Sequence, residues 1–465
     1  MDTYVTTVER DGVDDAVAAI IARHATLPLV AVLRALMQEY GHLSEGALRA
    51  LAADRLVSLS RLYSLVSSYD DLRLEQQYEE ALPAGKAAPL PEQLEESASG
   101  ATGLLQGGPI TARFEAPARS LEEYRAAGGM KAWKRARDLG SSKLFSEIVL
   151  GPITRQPDAW QRVASAGGDA VIVANCHGGD PLARQEDLLL ERDPYSIVEG
   201  VMVAGQAISA SRGFIYTRPL PGQEVERLQA IVAEMTALAD SGIAIEVIAG
   251  PASLVAAESS VVVAVIDGLR PVPNVSDFSA RGIWGRPTLV DTGECFAAIA
   301  AVIGGEEEVN TRLYQLTGAV ERAGIIEAEA SSSVRDLMEI AGARPGAEAL
   351  VGGLSGRFLT EGEVDQEMLH LKPAIGPRWR LIHVLEDPRD IYPMAVQTAA
   401  YNAASLCGAC VPCRIGSVRM AEMIPEYLVD FDKLEELART LELTGLCLTG
   451  RGAAAMISSA LRYVS

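Results

Sequence analysis

Ala170-Val171-Ile172-Val173-Ala174-Asn175-Cys176-His177-Gly178-Gly179 is the stretch on which the fold class turns. An unbroken apolar run that ends in paired glycines reads as a strand buried on both faces and closed by a tight turn. Outward from it, residues 194–211 carry a helical pattern, and Gly213-Phe214-Ile215-Tyr216 reads as a second strand. A further helical stretch over residues 224–239 leads into Ala244-Ile245-Glu246-Val247-Ile248. Strands alternating with helices in this way predict a mainly parallel α/β sheet, with any ligand at the carboxyl ends of the strands.

The flanks differ in character. Residues 12–75 read as helices: Ala16, Ile20 and Ile21 repeat at helical spacing, Leu29, Leu33, Leu36 and Met37 follow, Gly41 stops that helix and Leu43-Ser44-Glu45 opens another. Residues 76–110 lose the period in a Pro-, Gly-, Ala- and Ser-rich stretch that reads as a linker. Over residues 311–365, short apolar strands at Leu313-Tyr314-Gln315-Leu316 and Ile325-Ile326 and a helix near residues 333–341 predict a compact α+β module. Beyond Arg380-Leu381-Ile382-His383-Val384 the pattern is helical. The expected organisation is an α/β, multidomain chain: a helical bundle (1–75), a linker (76–110), a Rossmann-like domain (111–305), an α+β module (306–370) and a helical segment (371–465).

A length of 465 residues accommodates about two to four cores. The formal net charge of -21 repels phosphate backbones and anionic headgroups, which disfavours nucleic acid and membrane surfaces as partners. The apolar run at residues 295–303 is too short to span a bilayer, and the acidic start Met1-Asp2-Thr3 lacks the pattern of a secretion signal. A cytoplasmic protein is expected.

Three of the six cysteines lie in Cys407-Gly408-Ala409-Cys410-Val411-Pro412-Cys413-Arg414. Cys-x-x-Cys-x-x-Cys spacing can turn three sulfurs toward one iron–sulfur cube. A fourth ligand is available at Cys447, in Thr444-Gly445-Leu446-Cys447-Leu448-Thr449-Gly450. The alternatives are structural zinc, a disulfide, or unliganded core thiols; zinc usually draws on two separate Cys-x-x-Cys knuckles, and here only one end is rich in cysteine. Arg414 would tune such a cluster, or is simply a solvated helix-terminal arginine. Cys176 and His177 could form a nucleophilic pair, but with no third orienting group a packed cysteine and a turn histidine are the plainer reading.

With these residues in view, the chain resembles the NADH-binding flavoprotein subunit of respiratory complex I and its relatives in NAD-linked hydrogenases and formate dehydrogenases. That family holds a [4Fe–4S] cluster with Ser-Cys-Gly-x-Cys-x-Pro-Cys-Arg and a distant cysteine. Cys407, Cys410, Pro412, Cys413, Arg414 and Cys447 match it, while Leu406 replaces the serine. Gly282-Ile283-Trp284-Gly285-Arg286-Pro287-Thr288 is similar to the family's Gly-Leu-Trp-Gly-Lys-Pro-Thr, Gly268-Leu269-Arg270 to its Gly-Leu-Arg, and residues 311–326 to its β-grasp domain. Tyr40-Gly41-His42-Leu43 and Leu62-Tyr63-Ser64-Leu65-Val66 resemble the helical start of the [2Fe–2S] partner subunit, yet no cysteine precedes Cys176.

The resemblance breaks at the flavin. The family's Gly-Arg-Gly-Gly-Ala-Gly-Phe-Pro loop has no counterpart: between Ser141 and Asp169 the only glycines are Gly151, Gly167 and Gly168. The family's Asn-Ala-Asp-Glu-Ser-Glu-Pro becomes Asn175-Cys176-His177-Gly178-Gly179-Asp180-Pro181, its Gly-Glu-Glu becomes Ala257-Glu258-Ser259, and its paired asparagines become Asp291 and Thr292. What the resemblance implies is therefore a non-catalytic electron-transfer subunit with one [4Fe–4S] cluster, FMN and NAD not being expected. Its partners would be other redox subunits of iron–sulfur, molybdenum or tungsten, or hydrogenase type. The competing expectations are an NADH:acceptor oxidoreductase with FMN in an altered pocket, and a structural adaptor.

Overall fold

The computed structural model describes residues 15–66, 68–69, 71–74, 90–101, 103–151, 154, 156–167, 169–306, 309–365, 380–425 and 430–463. These fall into two compact units, one formed by the chain up to Gly85 together with Ala264–Pro271, the other by the remainder.

In the first unit, helices Asp15–Arg23, Leu29–Tyr40, Glu45–Arg55 and Leu59–Val66 bury Leu33, Leu36, Leu48, Leu51, Leu62 and Leu65. Gly41 closes the second helix in the left-handed region, and the Ser44 side chain accepts the Ala47 amide to open the third. Arg61 donates to the carbonyls of Asp267 and Gly268, which ties the later segment in.

The second unit holds two sheets. Strands are numbered β1 (Leu104–Gln106), β2 (Ala170–Cys176), β3 (Ala210–Thr217), β4 (Ala244–Ala249), β5 (Thr288–Thr292), β6 (Thr311–Gly318), β7 (Gly324–Glu329), β8 (Ala349–Val351), β9 (Arg357–Leu359) and β10 (Leu381–Val384). One sheet has the order β4-β3-β2-β5, parallel throughout, as the run at 170–174 predicts. Its central strand β2 is buried along its whole length. Helices Pro194–Ile208 and Gly293–Gly304 pack together over it, so closely that a methyl group on Gly200 would lie 1.9 Å from the Phe296 carbonyl oxygen.

The other sheet has the order β1-β7-β6-β10-β8-β9, with parallel and antiparallel pairs. The helix predicted near 333–341 is Val334–Ile340, capped by Ser333. Four helices follow: Ile391–Ser405, Val411–Met423, Phe431–Thr444 and Leu448–Leu461. Their shared core includes Met394, Met420, Leu434, Leu441, Ala454 and Ile457.

Three expectations need correction. Residues 90–110, read as linker, form helix Glu92–Gly100 and strand β1; β1 draws its order from pairing with β7, which local composition does not encode. The α+β module does not stop at 370, because β10 lies between β6 and β8 at the centre of its sheet. The helix over 194–211 ends at Ile208, where Ser209 turns left-handed and β3 begins. The rest of the stretch read as linker, residues 76–89, lies outside the described residues. No helix among the described residues is long and apolar enough to cross a membrane.

Candidate metal centre

Helix Ile391–Ser405 ends at Leu406, and the chain turns through Gly408, whose φ of 61° suits a residue without a Cβ. Cys407 and Cys410 flank that turn. Cys410 occupies the position just before helix Val411–Met423 without a side-chain capping bond, and Pro412 sits in its first turn, where an amide would have no partner within the helix. Cys413, one turn in, is buried, and the aliphatic part of Arg414 lies over Gly408. Cys447 caps helix Leu448–Leu461, its sulfur accepting the Gly450 amide at 3.4 Å.

Gly450 shows how these pieces meet. A methyl group there would lie 3.5 Å from the Cys413 sulfur and 3.8 Å from the Cys447 sulfur, so the two cysteine segments converge over a bare backbone. Burial, then the neighbouring Cys410, Cys407 and Cys447, pushes the Cys413 thiol up to about 12. Burial also pushes Cys447 up to about 12, opposed by the Gly450 amide and reinforced by Glu258, Cys407 and Cys410. Cys413 and Cys447 thus both lie in the field of Cys407 and Cys410. Among the described residues no three His, Cys, Asp or Glu side chains gather tightly enough to hold a single ion. A cubane is bound through one sulfur per iron, so its ligands stand around a volume rather than a point.

At the carboxyl ends of the parallel strands, Asn175 stands level with Tyr216 and Thr292. Asn175 donates to the Ala257 carbonyl and accepts the His177 amide. His177 accepts the Gly179 amide on Nδ1 at 3.0 Å, which leaves Nε2 to donate to the Pro251 carbonyl at 2.9 Å. Its ring stacks on Tyr216, 5.5 Å between centroids, and burial, then Arg218, pushes its pKa down to about 3. The Tyr216 side chain fills the space beside Gly250, where a methyl group would lie 2.0 Å from its hydroxyl. Arg218 covers Gly178, donates to the Ala183 carbonyl and pairs with Asp187 at 2.8 Å. Asp180, buried and pushed up to about 6, accepts the amides of Leu182 and Leu354. Asp291 accepts the Trp160 indole N–H at 3.0 Å, and Thr292 caps helix Gly293–Gly304.

Cys176 and His177 point apart. A methyl group on Gly293 would meet the Cys176 sulfur at 2.5 Å, while the His177 ring is committed to Pro251 and Gly179. Burial, Glu186 and Asp187 all push the Cys176 thiol upward, away from the thiolate a nucleophile needs. Sequence reasoning missed the role of Glu258, whose carboxylate accepts the Thr449 hydroxyl at 3.0 Å. It missed Gly450 and Gly452 too, although small residues spaced closely after Cys447 were the available signal.

Residues 158–301 match the Nuo51 FMN-binding domain, and residues 393–465 match the NADH-ubiquinone oxidoreductase-F iron-sulfur binding region. The chain is 22% identical over 380 residues to the NADH-quinone oxidoreductase F subunit of Aquifex aeolicus (strain VF5), covering 74% of this chain and 89% of that one. It is 27% identical over 317 residues to NADP-reducing hydrogenase subunit HndC of Solidesulfovibrio fructosivorans, covering 60% of this chain and 64% of HndC. A crystal structure of NAD+-reducing [NiFe]-hydrogenase in the H2-reduced state shares the fold with a TM-score of 0.65 at 19% identity, covering 78% of this chain and 65% of that one. The alignments thus span less than two thirds of HndC and of the hydrogenase chain. With both regions present in one chain, this protein matches the NADH-binding flavoprotein family.

Proposed function

We propose that the chain is an electron-relay subunit of a multi-subunit redox complex, holding one [4Fe–4S] cluster on Cys407, Cys410, Cys413 and Cys447. The observation that carries this reading is the approach of Cys413 and Cys447 across Gly450, where a single methyl group would touch both sulfurs at ordinary van der Waals distance. Four neighbouring thiols suit a cluster that takes thiolate ligands, since coordination removes their protons and turns mutual repulsion into binding. Bound there, the cluster supplies one-electron transfer. The chain's own part is to bury Cys413, to offer the Gly450 amide to the Cys447 sulfur, and to hold Cys410 and Cys447 at the starts of two helices. Its partners would be other redox subunits of iron–sulfur, molybdenum or tungsten, or hydrogenase type, in the cytoplasm.

The absence of a flavin in this reading is supported by the residues at the strand ends. Asn175, His177, Glu258 and Asp291, at the positions the resemblance assigns to the flavin pocket, each bond to the protein itself, and Tyr216 and Arg218 pack over the glycines. A bound flavin needs such groups to converge on one pose. A second reading, an NADH:acceptor oxidoreductase with FMN in an altered pocket, is favoured by the match of residues 158–301 to an FMN-binding domain.

Anaerobically purified protein separates the two. The relay reading expects about four iron and four sulfide per chain, an EPR signal on reduction and no extracted flavin. Stoichiometric FMN with NADH-dependent dye reduction overturns it in favour of the second reading, and zinc in place of iron overturns it outright.

A further inference from the structure

Glu258 stands just before helix Ser259–Ile266, and its carbonyl accepts the amides of Val261 and Val262. Its side chain serves a different helix. One carboxylate oxygen accepts the Thr449 hydroxyl at 3.0 Å and the Thr449 amide at 3.4 Å. Thr449 is buried and is the second residue of helix Leu448–Leu461; the third, Gly450, gives its amide to the Cys447 sulfur. Amides in the first turn of a helix have no partners within it and carry the positive end of the helix dipole. Two successive amides are therefore divided here between a carboxylate and a cysteine sulfur.

Resting on the relay reading, we propose that Glu258 is a tuning residue for the cluster. Its fixed negative charge, anchored through Thr449 at the same helix terminus as Cys447, holds the cluster's midpoint potential down. Reduction adds one electron, and so one negative charge, beside a carboxylate in a partly buried setting where charges interact more strongly than in water. No bond is made or broken and no proton moves; the electron comes from dithionite in the test and from a donor redox protein in a complex. Thr449 moderates the effect by bonding the carboxylate, which spreads its charge over a hydroxyl and an amide. The residue that the resemblance places in a nucleotide pocket is thereby joined to the cysteine helix.

EPR-monitored redox titration of the full chain, with iron and sulfide counted on each sample, tests this with two substitutions of opposite sign. Glu258→Gln keeps an acceptor for Thr449 and removes the charge, so the midpoint moves positive. The reduced-to-oxidised ratio at a fixed poise changes about tenfold, which is about 59 mV for one electron. Thr449→Val keeps the charge and removes its hydroxyl partner, so the midpoint moves negative; Glu258→Asp, which restores the charge, titrates near wild type. A residue that only supports the helix would not produce shifts of opposite sign. If Glu258→Gln loses iron, the negative shift of Thr449→Val alone carries the proposal. Full iron with unchanged or same-direction midpoints overturns it, as does loss of iron from both variants. Wild-type protein without iron overturns the relay reading itself and this proposal with it.

Discussion

His177 lies fully buried at the end of β2, both ring nitrogens bonded, with burial and Arg218 holding its pKa near 3 against 6.5 in an exposed chain. His383, on β10 beside the Thr317 hydroxyl, is pushed down to about 4 by burial. Above pH 6.5 each is neutral in both the folded and the unfolded state and stability is unaffected. As pH falls below 6.5 the unfolded chain takes up protons that the folded chain refuses, so stability declines until the folded pKa is reached. At about 1.4 kcal/mol per pKa unit, acidifying to pH 5 costs on the order of 2 kcal/mol at each site. Thermal melts at pH 7 and pH 5 check this. His177→Asn keeps an acceptor for the Gly179 amide but does not titrate, and it is expected to show the smaller drop between the two pH values. An unchanged drop would mean that His177 charges normally in the folded state. The residue scale was only partly legible: Cys407, Cys410 and Cys413 stand out by spacing, whereas the Pro251 carbonyl that takes His177 Nε2 lies more than seventy positions away.

Helix Leu448–Leu461 reaches its place because Gly452 lets its backbone meet the Gly353–Ser355 turn; a methyl group there would lie 2.0 Å from the Ser355 carbonyl oxygen. Gly200 plays the same part between helices Pro194–Ile208 and Gly293–Gly304. Gly452→Ala and Gly200→Ala are each expected to cost about 1–3 kcal/mol or more through overpacking, since backbone cannot yield as a flexible side chain can. They differ in what else they disturb. Gly452→Ala shifts the helix that Cys447 caps and lowers iron per folded chain, whereas Gly200→Ala lowers stability in urea and leaves iron per folded chain unchanged. Equal iron in both variants would separate the cysteine helix from its packing against the turn. Helix starts and stops such as Ser44 and Gly41 are local chemistry and were readable in advance, while the need for Gly200 and Gly452 comes from surfaces that meet only in three dimensions.

At the scale of the second unit, Arg380 joins its two halves: it bonds both carboxylate oxygens of Glu294, in helix Gly293–Gly304 over the parallel sheet, and the Leu313 carbonyl of β6 in the mixed sheet. Both side chains are buried. Removing one partner leaves an uncompensated buried charge, so Glu294→Gln is expected to cost about 3–5 kcal/mol in urea unfolding. A cost below about 1 kcal/mol, the range of exposed pairs, would mean that the pair is solvated. Loss of the proposed cluster belongs to this scale as well, because a metal site couples to folding through the ligands it holds together. Oxidative removal of iron is expected to speed amide exchange in helices Val411–Met423 and Leu448–Leu461 while β2, β3 and β5 keep their protection; uniform loss of protection would show a single cooperative unit instead.

From sequence alone, the parallel sheet follows from the buried run at 170–174 and its alternation with helices, and three of the four proposed cluster ligands follow from the Cys407, Cys410 and Cys413 spacing, because both are short-range patterns with a direct physical meaning. Only tertiary structure decided that β1 and β10 complete the mixed sheet, that Tyr216 packs against Gly250 and Arg218 against Gly178, and that Glu258 turns to Thr449. Those outcomes depend on which backbone edges and polar groups find each other across long stretches of chain. Burial requires each such group to find a partner, but local composition does not say which one.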